Sequence, residues 1–251
     1  MVTPAVKPPM LNWLMPWGQL QWLRQADEGI ARRFFDQPSS YVVGSSRFPG
    51  SAPYWACNVL PVFYSFETYA TAGQSMTGSA FPLVCADFEN WPQTAPNVKR
   101  HPESSFWAFA QLASARGQQM VAAPSRDLIY APGADKPWQW PETINDGYLR
   151  CQIPAVASAA AVAFVCQSQG AEKDLTAFST LVAGAAKQVS SNVTFWAELT
   201  CNLATPDQMK AAYDTALTCG ASPPVAGFWL VIADQSQAPT AAQFLHLVAG
   251  S

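Results

Sequence analysis

The sequence predicts an α/β fold, a TIM-like (β/α) barrel, on three observations. Strand-like and helix-like segments alternate along the chain, as in a parallel sheet with crossover helices. The 251 residues match one such barrel, with two small domains as the alternative. Apolar strands end in polar side chains at several places: Ser65 and Glu67, Asp87 and Glu89, Arg126 and Asp127, Gln167 and Gln169, Thr200 and Asn202. A barrel builds its active site from many strand ends, whereas an open doubly wound sheet gathers its site at one switch point.

The elements follow in order. About Leu11 to Phe35 reads as an N-terminal helix, with Trp13, Leu20, Leu23, Ile30 and Phe34 at near-helical intervals. Arg24, Asp27, Glu28, Arg32 and Arg33 supply its polar positions, and Pro16 and Gly18 put its regular part after them. Strands are expected at Tyr41–Gly44, Val59–Phe66, Pro82–Glu89, Gln119–Ser125, Ala161–Gln169, Val193–Asn202 and Ala226–Ala233. Helices are expected at Ser104–Arg116, stopped by Gly117, after a Pro/Trp-rich loop near Ile144, at Asp174–Val189, after Thr205-Pro206, and at Thr240–Val248. That counts seven strands in one domain spanning residues 1–251. The eighth is irregular or missing, or lies before Tyr41 or between Arg47 and Asn58.

Composition excludes several classes. Hydrophobic residues make up 49% of the chain and charged residues 12%, roughly half the usual charged share. A net charge of −3 offers no basic stripe, so nucleic acid is not expected as a partner. No apolar run approaches the ~18–20 residues of a membrane span. The longest, Ile153 to Cys166, is broken by Pro154 into a helix end and a strand. Met1 to Pro9 has no apolar signal core, which suits a cytoplasmic chain or a secreted one whose leader has been removed. Asn192-Val-Thr194 matches a glycosylation sequon, a match that chance also produces. The six cysteines show no metal-like spacing: Cys85, Cys166 and Cys201 read as buried apolar side chains, while Cys57, Cys151 and Cys219 are open to pairing. No Gly-rich phosphate loop follows a strand, so no nucleotide cofactor is expected, nor any other. With only His101 and His246, a histidine triad or His-rich metal centre is disfavoured, and proton chemistry falls to carboxylates.

The strongest chemical signal lies between Phe81 and Trp91. An apolar strand ends in Asp87 and Glu89, spaced i, i+2 and therefore on one face. Two neighbouring carboxylates in a dry site cannot both ionise easily, so one acid stays protonated and can act as a proton donor. The same pair could hold a divalent metal through oxygen, or be a structural pair tied to Arg126 or backbone amides. Glu198 is the third catalytic candidate: with Thr200 and Asn202 it shares a face that looks deep into a barrel. The bland alternative is a buried acid serving a polar network. Gln167 and Gln169 could orient a ligand. Arg126 could clamp a substrate carboxylate or pair with Asp87. Trp91, Trp138 and Trp140 are candidate aromatic walls or lid residues, whereas Trp196 and Trp229 read as packed between sheet and helices.

Four segments resemble a family of actinobacterial proteins of uncharacterised function: Asp87-Phe-Glu89-Asn-Trp91, Ala123-Pro-Ser-Arg126-Asp127-Leu, Gln167-Ser-Gln169 and Gly227-Phe-Trp-Leu230. They run in that order across Leu83 to Leu230. The resemblance implies an α/β barrel and brings no activity with it. That family carries an Asp-Pro-Glu-His-Trp-like segment, in place of which this chain has Phe88 and Asn90, so no role of that His carries over. More loosely, the D-x-E at a strand end is similar to the acid motifs of family-18 and family-25 glycosidases. The full family-18 motif is absent, since Val84 and Cys85 stand where further acids would be expected.

Three functions fit these residues. One is a glycosidase-like acid–base enzyme acting on a small neutral molecule in the barrel mouth. A second is a cyclase or lyase of an apolar natural product, triggered by a protonated acid in an aromatic-lined pocket. The third is a ligand-binding barrel without catalysis. Substrate identity and oligomeric state are not encoded legibly.

Overall fold

The computed structural model describes residues 11–45, 55–72, 76, 81–92, 94–130, 143–201 and 204–250. Eight strands form a closed parallel barrel in chain order: β1 (Asn12–Pro16), β2 (Tyr41–Ser45), β3 (Asn58–Phe63), β4 (Leu83–Ala86), β5 (Gln119–Ala122), β6 (Ala163–Cys166), β7 (Thr194–Thr200) and β8 (Val225–Val231). Around it run α1 (Trp17–Ala26), α2 (Glu28–Phe35), α3 (Phe66–Ala72), α4 (Pro96–Arg100), α5 (Pro102–Ala115), α6 (Ile144–Arg150), α7 (Ile153–Ser158), α8 (Leu175–Ala186), α9 (Pro206–Thr218) and α10 (Ala238–Ala249). The expected barrel is present, and among the described residues no helix is long and apolar enough to cross a membrane.

The eighth strand lies where a helix was expected. The first residues of the predicted 11–35 helix form β1, and the remainder breaks into α1 and α2. A short apolar run such as Asn12–Pro16 carries no periodicity that separates strand from helix. Here Leu14 enters the barrel lumen, while Trp13 turns outward onto Phe34 at 5.1 Å and Tyr213 at 6.1 Å between ring centres. The break at Asp27 has a local cause. Its backbone is extended, and its carboxylate accepts the Ile30 N–H at 2.9 Å, capping α2.

Strand alternation divides the interior into two cores. Leu14, Val43, Leu60, Val62, Cys85, Val121, Val165, Trp196 and Trp229 fill the lumen. Phe63, Phe88, Phe164, Phe195 and Phe228 face outward and pack under Phe106, Phe109, Phe178 and Phe244 of the helices. Helix boundaries follow their signals. Thr205 and Gln208 form a capping box at α9, Asp174 caps α8, and Gly117 takes a positive φ of 70° just after α5. Ser65 and Glu67 do not end a strand. Ser65 Oγ accepts the Thr68 N–H at 3.1 Å at the start of α3, and Glu67 is an exposed helix residue.

Barrel closure depends on close approach between β8 and β1. Gly227 pairs with Asn12, and a Cβ at Gly227 would lie 2.3 Å from the Asn12 carbonyl oxygen. Gly227→Ala is therefore expected to lower unfolding stability by about 1–3 kcal/mol, as overpacking of a tight site does. Gly18→Ala, with nothing within 4 Å of its added methyl, is expected to be neutral or stabilising. Chemical denaturation of both variants checks the contrast.

Candidate active site

The acids are aimed by a ladder that outlasts β4. The Asp87 N–H donates to Phe63 O at 3.0 Å, Ala123 N–H to Ala86 O at 2.9 Å, and Ser125 N–H to Phe88 O at 2.9 Å. The alternation of β4 thus continues: Cys85 faces the lumen, and Asp87 and Glu89 follow on the same side at its C-terminal mouth. Phe88 turns the other way, fully buried with its ring 4.6 Å from Phe106. Two further bonds fix the turn that follows. Asp127 Oδ1 accepts the Asn90 N–H at 3.0 Å, and the Glu89 N–H reaches Thr94 Oγ1 at 3.4 Å.

Three carboxyl groups are buried here: Asp87 and Glu89 are each 7% exposed and Glu198 6%, levels at which an unpaired charge is costly. Asp87 and Glu89 share a hydrogen bond. Gln167 Nε2 donates to Asp87 Oδ1 at 2.8 Å and to the Ala123 carbonyl at 3.0 Å. Burial raises the Asp87 pKa, and the donated bonds from Gln167 and Glu89 partly oppose it. Burial also raises Glu89, reinforced by the charges of Asp87, Glu198 and Asp127 and by its bond to Asp87. Both members of the pair thus favour the protonated form, and a proton is shared between them. Glu198 is pushed well above the ordinary carboxyl range by burial, then by Asp87 and Glu172, against the opposing pull of Arg126.

Arg126 does not pair with Asp87. One guanidinium nitrogen donates to Asn145 Oδ1 at 2.6 Å and another to the Gln169 carbonyl oxygen. Its role in this structure is to join the turn after β5 to the loop after β6 and to α6. Gln169 contributes its backbone to that link and is itself half-buried. Trp91 stands beside the acids, 47% exposed, with its ring 6.3 Å from Tyr64. Asn202, Trp138 and Trp140 lie outside the described residues. Trp196 and Trp229 are not between sheet and helices. They occupy the lumen, because on β7 the outward positions belong to Phe195, Ala197 and Leu199. Thus Trp196 shares its face with Glu198. All six cysteines are free thiols, with Cys85, Cys166 and Cys201 buried.

Two residues here escaped the sequence. Tyr64 follows Val62 and sits beside Asp87 in register, its phenol pushed up to about 12 by burial and by the charges of Asp87 and Glu89. The run Leu60, Val62, Tyr64 carries the signal, since alternate residues of β3 face the lumen. Glu172 is buried in the loop before α8, where its Oε1 accepts the Thr200 N–H at 2.8 Å. Nothing in the local pattern marks it. Among the described residues no cluster of three or more His, Cys, Asp or Glu side chains could hold a metal ion. No protein-family model matches this sequence, and no curated protein matches it.

These raised carboxyls set the pH dependence of stability. Above about pH 4 an unfolded chain has released protons that the folded Asp87–Glu89 pair and Glu198 retain. The native state then binds more protons than the unfolded state, so stability falls as pH rises until the folded groups ionise. Asp27 and Glu28, whose pKa values are lowered, act below that window. The melting temperature is expected to decline from pH 5 to pH 9. In Glu89→Gln the decline should be shallower, which thermal scans across that range check.

Proposed function

We propose that this protein is an acid–base enzyme of glycoside-hydrolase type, acting on a small neutral substrate in the barrel mouth with Glu89 as the proton donor. The hydrogen-bonded Asp87–Glu89 pair carries this reading. Glycoside cleavage needs a carboxylic acid that is still protonated near neutral pH and can give its proton to the departing oxygen. Glu89 is the later residue of the pair along the lumen face and, in this reading, the one that holds the shared proton. Asp87, whose ionised form the Gln167 bond favours against the effect of burial, is the member to stabilise positive charge developing on a sugar ring. A water then adds to the sugar carbon and gives its proton to Glu89, whose proton affinity repulsion from Asp87 raises, so the acid is regenerated.

The surroundings favour a neutral sugar. Asp87, Glu89, Asp127, Glu172 and Glu198 gather near one guanidinium that is already engaged, an arrangement that repels anions. Trp91 and Tyr64 supply a partly exposed aromatic wall of the kind that covers the C–H face of a sugar. Cyclisation of an apolar natural product would use the same protonated acid but needs an enclosed apolar chamber. Val62, Val121, Val165, Trp196 and Trp229 fill the lumen beneath the acids, which favours the glycoside.

A panel of neutral glycosides assayed against wild type and Glu89→Gln tests the proposal. Loss of the general acid is expected to lower kcat by about 10²–10⁴-fold with little change in KM. Activity of the wild type should follow a bell in pH, its alkaline limb set by ionisation of the pair above the ordinary carboxyl range. Hydrolysis that survives Glu89→Gln unchanged removes Glu89 from the role. Ligand affinity that survives in both variants without turnover points to a binding barrel.

A further inference from the structure

Gln167 has both its amide hydrogens committed, to Asp87 Oδ1 and to the Ala123 carbonyl. The Ala123 oxygen can only accept, so the amide cannot be turned over without losing that bond. Its Oε1 is therefore fixed in orientation, and it is buried with no hydrogen-bond partner. The pairing of Val165 with Trp196 and of Cys166 with Ala197 puts Gln167 and Glu198 next to each other at the following rung, both on the lumen face. Neighbouring strands lie only about 4.8 Å apart, so the two side chains are within reach. Glu198 Oε2 is likewise buried without a partner. An ionised carboxylate beside an amide oxygen would set acceptor against acceptor. A protonated one would answer both vacant valences, since its O–H can donate to the amide oxygen.

The groups facing Glu198 lead to the same result. Asp87, at the end of β4, and Glu172, before α8, oppose its ionisation, and Glu198 in turn raises Glu89. Among the described residues Arg126 is the one cation acting on it, and its guanidinium donates to Asn145 and Gln169. The Glu198 backbone is held separately: its N–H donates to Ser168 Oγ at 3.2 Å and its carbonyl accepts from the same hydroxyl at 2.6 Å. The backbone of Glu198 is thus fixed beside Gln167.

We propose that Glu198 is a neutral positioning residue, whose O–H donates to Gln167 Oε1, directly or across one water, and so presses the Gln167 amide onto Asp87. This deepens, and rests on, the assignment of Glu89 as the acid. The hydrogen bonds then run in one direction. Glu198 donates to Gln167, Gln167 donates to Asp87, and Glu89 donates to Asp87 from the other side. Asp87 becomes the single ionised member of the trio, and the proton available for chemistry is confined to Glu89. Glu198 neither gives nor takes a proton in the reaction.

Infrared spectroscopy of the whole protein at pH 7 tests this without a substrate. Wild type should show protonated-carboxyl bands, one lost in Glu89→Gln and a different one lost in Glu198→Gln. Kinetics supply the second readout. Glu198→Leu is expected to lower kcat by about tenfold, and Glu198→Gln, whose amide can still donate, should recover most of that loss. The pH limbs of Glu198→Gln should match wild type to within about half a pK unit. Three results overturn the proposal: no protonated band assignable to Glu198, a kcat loss in Glu198→Gln of about 100-fold, as a reacting carboxyl would give, or a fall of the limbs by about one unit, as removal of a charge would give. Wild type that hydrolyses no glycoside while the Glu198 band is present sinks the glycosidase assignment and leaves the protonation of Glu198 standing.

Discussion

A closed ring of parallel strands gives alternate side chains only one destination, the lumen, and the site depends on that constraint. From β3 to β7 the lumen positions are apolar until the last turn of each strand: Val62 precedes Tyr64, Cys85 precedes Asp87, Val165 precedes Gln167, and Trp196 precedes Glu198. The acids rest on a dry floor of packed side chains. Burial is the largest influence on the proton affinity of Asp87, Glu89 and Glu198. Their raised proton affinity follows from barrel geometry before any partner is considered.

The placement of Arg126 completes that effect. A guanidinium against Asp87 would hold it ionised and would also draw Glu89 toward ionisation. Arg126 instead spends its donors on an amide oxygen and a backbone carbonyl. The acids are left to one another, with the Gln167 amide bridging from the end of β6 to Asp87. Burial of several acids is costly for ionised groups and modest for protonated ones. Raised proton affinity therefore lowers the cost of burying such a cluster.

Much of this was legible in the sequence, and the parts that were not share a cause. Strand–helix alternation identified the barrel, and the i, i+2 spacing of Asp87 and Glu89 after an apolar run placed both in the mouth, because period two is the strongest local signal a strand carries. The same parity places Trp196 with Glu198 and Tyr64 with Val62. Bulky aromatic side chains on β7 and β8 suggested helix packing, yet the outward rows were already occupied by Phe195 and Phe228. Asn12–Pro16 was lost to the neighbouring helices since five residues are too few to show a period. Glu172 and the partners of Arg126 come together only through long-range contacts, which no local pattern encodes.

The dipeptide Arg126-Asp127 shows how those long-range contacts build the mouth. Adjacent side chains on one turn point to opposite neighbours. Arg126 reaches forward to the loop after β6 and to α6, whereas Asp127 reaches back to the Asn90 N–H just past Glu89. The turn after β5 thereby ties together the strand ends that carry Glu89 and Gln167. Phe88 adds the other restraint, since its ring is locked beneath Phe106 and Phe109 and the residues on either side of it cannot rotate away from the lumen. Asp127 is an acid used to hold backbone, and Arg126 a cation used to hold carbonyl and amide oxygens. Their charges are consumed in fixing the frame around the buried acids.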